Sequence, residues 1–164
     1  MTDSDPRWLD DREQHAWRKF AALMTVVPAQ LDAQLQRDAG LTMFGYWVLS
    51  MLSEAPGHEL RMSHLAHQSN ASPSRVSHVV ARLEKQGFVR RRRAEDDARG
   101  NIAELTEAGL AKVVASAPGH VEQVRKLLLD GLDTGQIDAL DALCAAMLAQ
   151  VDPEGTLSVT PPQS

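Results

Sequence analysis

A mainly α chain with one small β element (α+β) is what the sequence predicts, and three observations predict it. Apolar residues recur at helical spacing over most of the length, from Trp17 to Val151. One segment, from Phe88 to Thr106, breaks that rhythm and reads as two short strands around a polar tip. The segment before it, from Ser72 to Gly87, joins an apolar face to a polar, basic one. Helix, hairpin and helix in that order form a winged helix-turn-helix with further helices at both ends.

The segment from Ser72 carries the clearest local signals. Ser72 can accept a hydrogen bond from a first-turn N–H, and Pro73 falls at the first helical position, where its missing donor costs nothing. Val76, Val79, Val80 and Leu83 keep the i, i+3, i+4, i+7 spacing of one buried face. Ser74, Arg75, Ser77, His78 and Arg82 are left on the other flank. Gly87 is expected to close the helix in a left-handed cap. Phe88-Val89 and Arg90 to Arg93 then form a strand, Ala94 to Asn101 its polar tip, and Ile102 to Thr106 the returning strand. Gly100-Asn101 supplies the turn chemistry, and Thr106-Glu107 opens the next helix.

On the N-terminal side, Met1 to Asp10 are expected to be disordered, followed by a long helix over Asp11 to Ala39. Its apolar stripe is Trp17, Phe20, Leu23, Met24, Val27, Leu31 and Leu35, with a kink expected at Pro28 and a stop at Gly40. Such a long stripe on a short chain needs more partner surface than one domain supplies, which points to a homodimer. Thr42 caps a helix over Met43 to Ser53; Leu60 to Met62 reads as a short strand that could pair with the wing; Ser63 caps a helix over His64 to Ser69. After the wing, Leu110 to Leu128 form a helix interrupted at Pro118-Gly119. Asp133 and Gln136 form a capping box for a last helix lined by Ile137, Leu140, Leu143, Cys144, Met147, Leu148 and Val151. Residues 152–164 are expected to be a disordered tail.

The 164 residues suit one domain with a dimerisation extension, and a hydrophobic fraction of 43% suffices for a core. Apolar runs are broken by charges before membrane-spanning length, and the acidic start is unlike a signal peptide. A single cysteine excludes an internal disulfide framework, and the simplest address is the cytoplasm. The net charge of −5 is unevenly spread. Arg75 to Arg99 hold eight bases against four acids, a net of +4, and the remainder carries −9. A basic patch on an acidic body is the footprint of a nucleic-acid binder. An arginine run by itself could equally be a solvated edge strand that resists aggregation.

The wing decides between these. D-A-R-G-N-I-A-E-L-T-E-A-G, Asp97 to Gly109, resembles the D-x-R-x-x-x-x-x-L-T-x-x-G signature of the MarR-type bacterial transcriptional regulators at every fixed position. R-V-S-H-V-V-A-R-L-E-K-Q-G-F-V-R before it is similar to that family's recognition helix and first wing strand, and apolar spacing extends the resemblance over about 41–151. The resemblance implies residues 11–40 as an N-terminal dimerisation helix, 41–109 as the DNA-binding domain and 110–151 as C-terminal dimerisation helices. It implies a dimer, in habit a repressor, on double-stranded DNA. It also implies that Arg99 enters the minor groove, steadied by Asp97.

The helix itself should enter the major groove, with Arg75 forked onto a guanine and Ser74, Ser77 and His78 on base edges or phosphates. Ser72 and the first-turn N–H groups suit a phosphate. Arg82 and Lys85 lie further along, nearer the backbone. Strand alternation lets only about half of Arg90 to Arg93 face DNA. The residues leave the choice open, and the family's register favours Arg90 as structural and Arg91 and Arg93 as contacts.

Members of the family often hold a small anionic or aromatic effector between the dimer helices and the DNA-binding lobe. Here that cleft would draw on His15, Trp17, Phe20, Met24, Phe44, Trp47 and Met51, although aromatic and Met residues at helical spacing are more often plain core. His64, His67 and His78 lack a carboxylate or cysteine at ligand spacing, so neither a metal nor another cofactor is expected. Cys144 on an apolar seam reads as a small buried hydrophobe. No phosphate loop, nucleophile elbow or paired acids argue for an enzyme. The alternative is a winged-helix protein-interaction module; its helix face should then carry apolar anchors, which Ser74, Arg75, Ser77 and His78 are not.

Overall fold

Asp10 starts the first helix with a capping box: its carboxylate accepts from the Glu13 N–H, and Glu13 accepts in return from the Asp10 N–H. Helix α1 (Asp11–Ala39) runs through Pro28 without a break and ends at Gly40, whose φ of 66° only glycine adopts freely. The computed structural model describes residues 5–94 and 100–157. The chain continues as α2 (Met43–Glu54), β1 (Glu59–Arg61), α3 (Met62–Gln68), α4 (Pro73–Lys85), β2 (Val89–Arg93), β3 (Asn101–Leu105), α5 (Glu107–Val124) and α6 (Thr134–Val151). The architecture is the expected mainly helical fold with a β-wing. The strands form one antiparallel sheet in the order β1-β3-β2, so the short strand before α3 does pair with the wing.

Several elements start or stop differently from the sequence expectation. Helix α3 begins at Met62 with Arg61 at its cap position and no side-chain cap, because β1 runs straight into it; Ser63 falls inside the first turn. Helix α5 passes through Pro118 and Gly119 without interruption. Its irregularity comes later, as a π-helical turn over Arg125–Leu129 in which the Asp130 N–H donates to the Arg125 carbonyl. Gly119 instead gives α1 room, since a Cβ there would lie 3.3 Å from Gln34 Nε2. The presumed tail opens as a turn, where the Asp152 carboxylate accepts from the Thr156 N–H and hydroxyl and the Leu157 N–H.

The core lies between the C-terminal part of α1, helices α2 to α4 and the inner face of the sheet. Leu35, Val48, Leu49, Leu52, Leu65, Val76, Val80 and Ala103 are fully buried. Two matching turns build the helix-turn-helix around it. Asn70, at φ 46°, ends α3; its N–H donates to the His67 carbonyl and that of Ala71 to the Ala66 carbonyl. Gly87, at φ 80°, ends α4; its N–H donates to the Glu84 carbonyl and that of Phe88 to the Leu83 carbonyl. Both are Schellman turns, and each fixes the exit direction of its helix.

The signature residues of the returning strand lock onto the second turn. The Thr106 hydroxyl donates to the Gly87 carbonyl at 2.7 Å, and the Thr106 N–H to the Phe88 carbonyl at 3.0 Å. The same hydroxyl caps α5 by accepting from the Gly109 N–H. The first turn of α5 therefore sits directly on the end of α4.

A half-buried polar group lies where α1, α2 and α5 meet. The rings of Tyr46 and His120 approach to 4.8 Å between centroids, and His120 Nδ1 is buried without a hydrogen-bond partner among the described residues. Burial holds the His120 imidazole below its usual range, since the charged form loses water there. The unfolded chain then binds the proton more readily than the folded one. This contribution to stability is present above the unfolded value near 6.5 and is lost as pH falls below it. Thermal unfolding from pH 8 to 5 is expected to show the wild type losing stability faster than a His120→Asn variant. Parallel curves would refute that assignment.

Candidate nucleic-acid interface

Helix α4 presents its two faces as its sequence requires. Val76, Val80 and Leu83 are buried at 0%, 0% and 2% exposure, while Ser74, Arg75, Ser77, His78 and Arg82 are all exposed on the opposite flank. The Ser72 hydroxyl accepts from the Arg75 N–H at 3.2 Å, capping the helix. The exposed face is thus a row of donors and acceptors on a rigid cylinder, suited in width and chemistry to a major groove.

The arginine strand is more constrained than its sequence suggests. On one face of the sheet, Arg90 pairs with Glu104 at 2.7 Å and Arg92 with Glu59 at 2.7 Å, across the register Arg90–Glu104–Glu59. On the other face, Arg91 is held by Glu84 of α4 at 2.6 Å, and the Arg91 N–H donates to the same carboxylate. That double contact holds the Glu84 carboxyl below its usual range, first through the side-chain hydrogen bond. Arg90, favoured as structural, makes its ion pair with Glu104 while its side chain stays 68% exposed. Arg91, expected as a contact, ties the wing strand to α4 through Glu84. Arg93 is exposed and has no ion-pair partner among the described residues. Asp97 and Arg99 lie outside the described residues.

A cleft of about 1050 Å³ opens between the second half of α1, the start of α2 and α4. Phe44, Trp47 and Arg75 line it together with Asp32 and His78. Of the seven residues proposed for an effector, the structure brings only Phe44 and Trp47 there. Met51 is in the core at 5% exposure. His15, Trp17, Phe20 and Met24 lie in the exposed first half of α1, clear of the cleft in this chain. The helical pattern that suggested them is real, but one stripe on a 29-residue helix cannot face a single cleft along its whole length. Sequence reasoning missed Glu84, Glu104 and Glu59 as arginine partners, because nothing local marks them.

A sequence profile of the MarR family matches residues 41–100. Over nearly the whole chain, the fold is similar to Sco3205, a MarR family transcriptional regulator from Streptomyces coelicolor solved in complex with DNA. The TM-score is 0.87 at 39% identity, covering 96% of this chain and 98% of that one. The chain belongs to the MarR family. AbsC, a MarR family regulator from the same organism, is similar at 40% identity with a TM-score of 0.83, covering 89% of this chain and 98% of its own. The transcriptional repressor YetL of Bacillus subtilis is 30% identical over 89 residues, 54% of this chain and about half (53%) of YetL. As a MarR-family transcriptional regulator, the protein is not an enzyme. No helix among the described residues is long and apolar enough to cross a membrane.

Proposed function

We propose that this MarR-family protein is a homodimeric, cytoplasmic repressor that binds a pseudo-palindromic operator through α4 in the major groove and the wing in the minor groove. The observation that carries the reading is the exposed polar face of α4, Ser74, Arg75, Ser77, His78 and Arg82, opposite Val76, Val80 and Leu83, which are buried in the core. Similarity to a regulator solved on DNA supports it. YetL, a repressor, supports the sign of regulation.

The dimer draws support from apolar surface that one chain leaves open. Trp17, Phe20, Leu23 and Met24 of α1 are 40–52% exposed, and Leu143 and Val151 of α6 are 62% and 76% exposed. A soluble monomer rarely leaves so much contiguous apolar surface in water. Cys144, expected to be buried, is half-buried on the same helix. The two recognition helices would then meet half-sites about 34 Å apart, one helical turn. A small aromatic or anionic effector fits the cleft chemically, with the rings of Phe44 and Trp47 for stacking and the Arg75 guanidinium for charge.

The test is fluorescence anisotropy on the duplex beside its own gene and on a randomised duplex, at two salt concentrations, with Arg99→Ala alongside. Tight binding is expected to weaken steeply with salt, as released counterions require. Arg99→Ala is expected to weaken it broadly across sequences. Binding insensitive to ionic strength, or absent in a folded dimer, would turn the reading towards a protein-interaction module.

A further inference from the structure

The guanidinium carbon of Arg75 stands over the Phe44 ring, 4.2 Å from its centroid. Arg75 is in the first turn of α4, and its long side chain is exposed. Phe44 is in the first turn of α2, half-buried at the rim of the cleft. We propose that Phe44 is a positioning residue for base readout: its ring holds the Arg75 guanidinium in place before DNA arrives. The proposal rests on the reading of Arg75 as a base contact.

An unsupported arginine on a helix surface samples many rotamers and gives up that freedom when it docks. Stacking on a ring removes most of the freedom beforehand, and the N–H groups at the rim of the guanidinium stay available for a two-pronged contact with guanine. The ring itself is firmly placed. The Thr42 hydroxyl caps α2 by accepting from the Gly45 N–H, and the Met43 N–H donates to Asp32 of α1 at 2.7 Å. Gly45 suits the cap, because a Cβ there would lie 3.0 Å from Thr42 Oγ1. The start of α2, and Phe44 with it, is thereby tied to α1. A molecule entering the cleft and stacking on Phe44 would compete with Arg75 for the ring.

The experiment uses a duplex enriched from a randomised pool by the wild-type protein, and its single base-pair variants, read by anisotropy. Phe44→Leu keeps the bulk and removes the π face; Phe44→Tyr restores it. Phe44→Leu is expected to lose roughly three- to tenfold in affinity, the range of ordering one rotamer-rich side chain on binding. It is also expected to flatten discrimination at the base pairs whose reading Arg75→Ala abolishes, and Phe44→Tyr to bind as wild type. In an Arg75→Ala background, Phe44→Leu should cost nothing more. An equal loss with and without Arg75, or unchanged discrimination, overturns the proposal. An Arg75→Ala variant that binds and discriminates as wild type overturns the base-contact reading itself and the proposal with it. Nuclear magnetic resonance of the wild type gives an arm independent of variant folding. The Arg75 Nε–Hε signal, assigned by its loss in Arg75→Lys, is expected upfield by the ring current. A signal at its free position would count against the stack.

Discussion

Gly109→Ala is expected to lower the thermal unfolding midpoint by roughly 6–12 °C, although it adds one methyl group in the first turn of a helix that alanine otherwise favours. A Cβ at position 109 would lie 2.1 Å from the Phe88 carbonyl oxygen and 2.7 Å from Leu105 Cδ1. The backbone oxygen cannot rotate away, because it already accepts the Thr106 N–H. Relief requires α5 to lift off the end of α4, which breaks the Thr106 contacts with Gly87 and Phe88. The cost belongs at the upper end of overpacking, about 3 kcal/mol. Gly119→Ala is the control. Its Cβ would meet Gln34 Nε2 at 3.3 Å, a side-chain end rather than a backbone oxygen at 2.1 Å, and a smaller change is expected. Equal midpoints for Gly109→Ala and wild type in a calorimetric scan would refute this account of why the signature ends in glycine.

Leu143→Asp is expected to dissociate the proposed dimer and, with it, high-affinity operator binding. Leu143 is 62% exposed in the single chain, and Leu140, Met147 and Val151 continue the open face along α6. A carboxylate buried there on association would lose its hydration without a partner. Light scattering should then report the 18.0 kDa chain mass where the wild type gives twice that. Operator affinity should fall about a hundredfold or more, because two half-site contacts no longer act as one bivalent unit. A variant that stays dimeric would move the interface off this face of α6. A monomer that binds as tightly as wild type would remove the need for a palindrome.

Much of the candidate interface was legible because its signals are local. Ser72, Pro73 and Gly87 bracket α4 through bonds that span a few residues, and the valine spacing sets which face turns inward. The arginine strand was legible only as alternation. Which acid each arginine meets depends on strand register and on α4: Glu104 lies 14 residues from Arg90, and Glu59 lies 33 from Arg92. The Arg91–Glu84 pair was hidden for that reason, since Glu84 reaches Arg91 only after the Gly87 turn folds the strand back along the helix. The effector residues divided in the same way. Phe44 and Trp47 reach the cleft through the placement of the start of α2, whereas His15, Trp17 and Phe20 are carried away by the length of α1.

Periodicity, caps and the wing signature determined by themselves the helices, the hairpin, the family resemblance and the basic face, because each depends on neighbours within a turn or a strand. Tertiary structure alone decided which acid each of Arg90, Arg91 and Arg92 meets across the wing. It alone set Phe44 beneath Arg75, and it alone brought the Phe88 carbonyl within 2.1 Å of where a Cβ on Gly109 would stand. These are contacts between segments distant in sequence, and their distances follow from how helices and sheet pack on a shared core rather than from any residue's own preference.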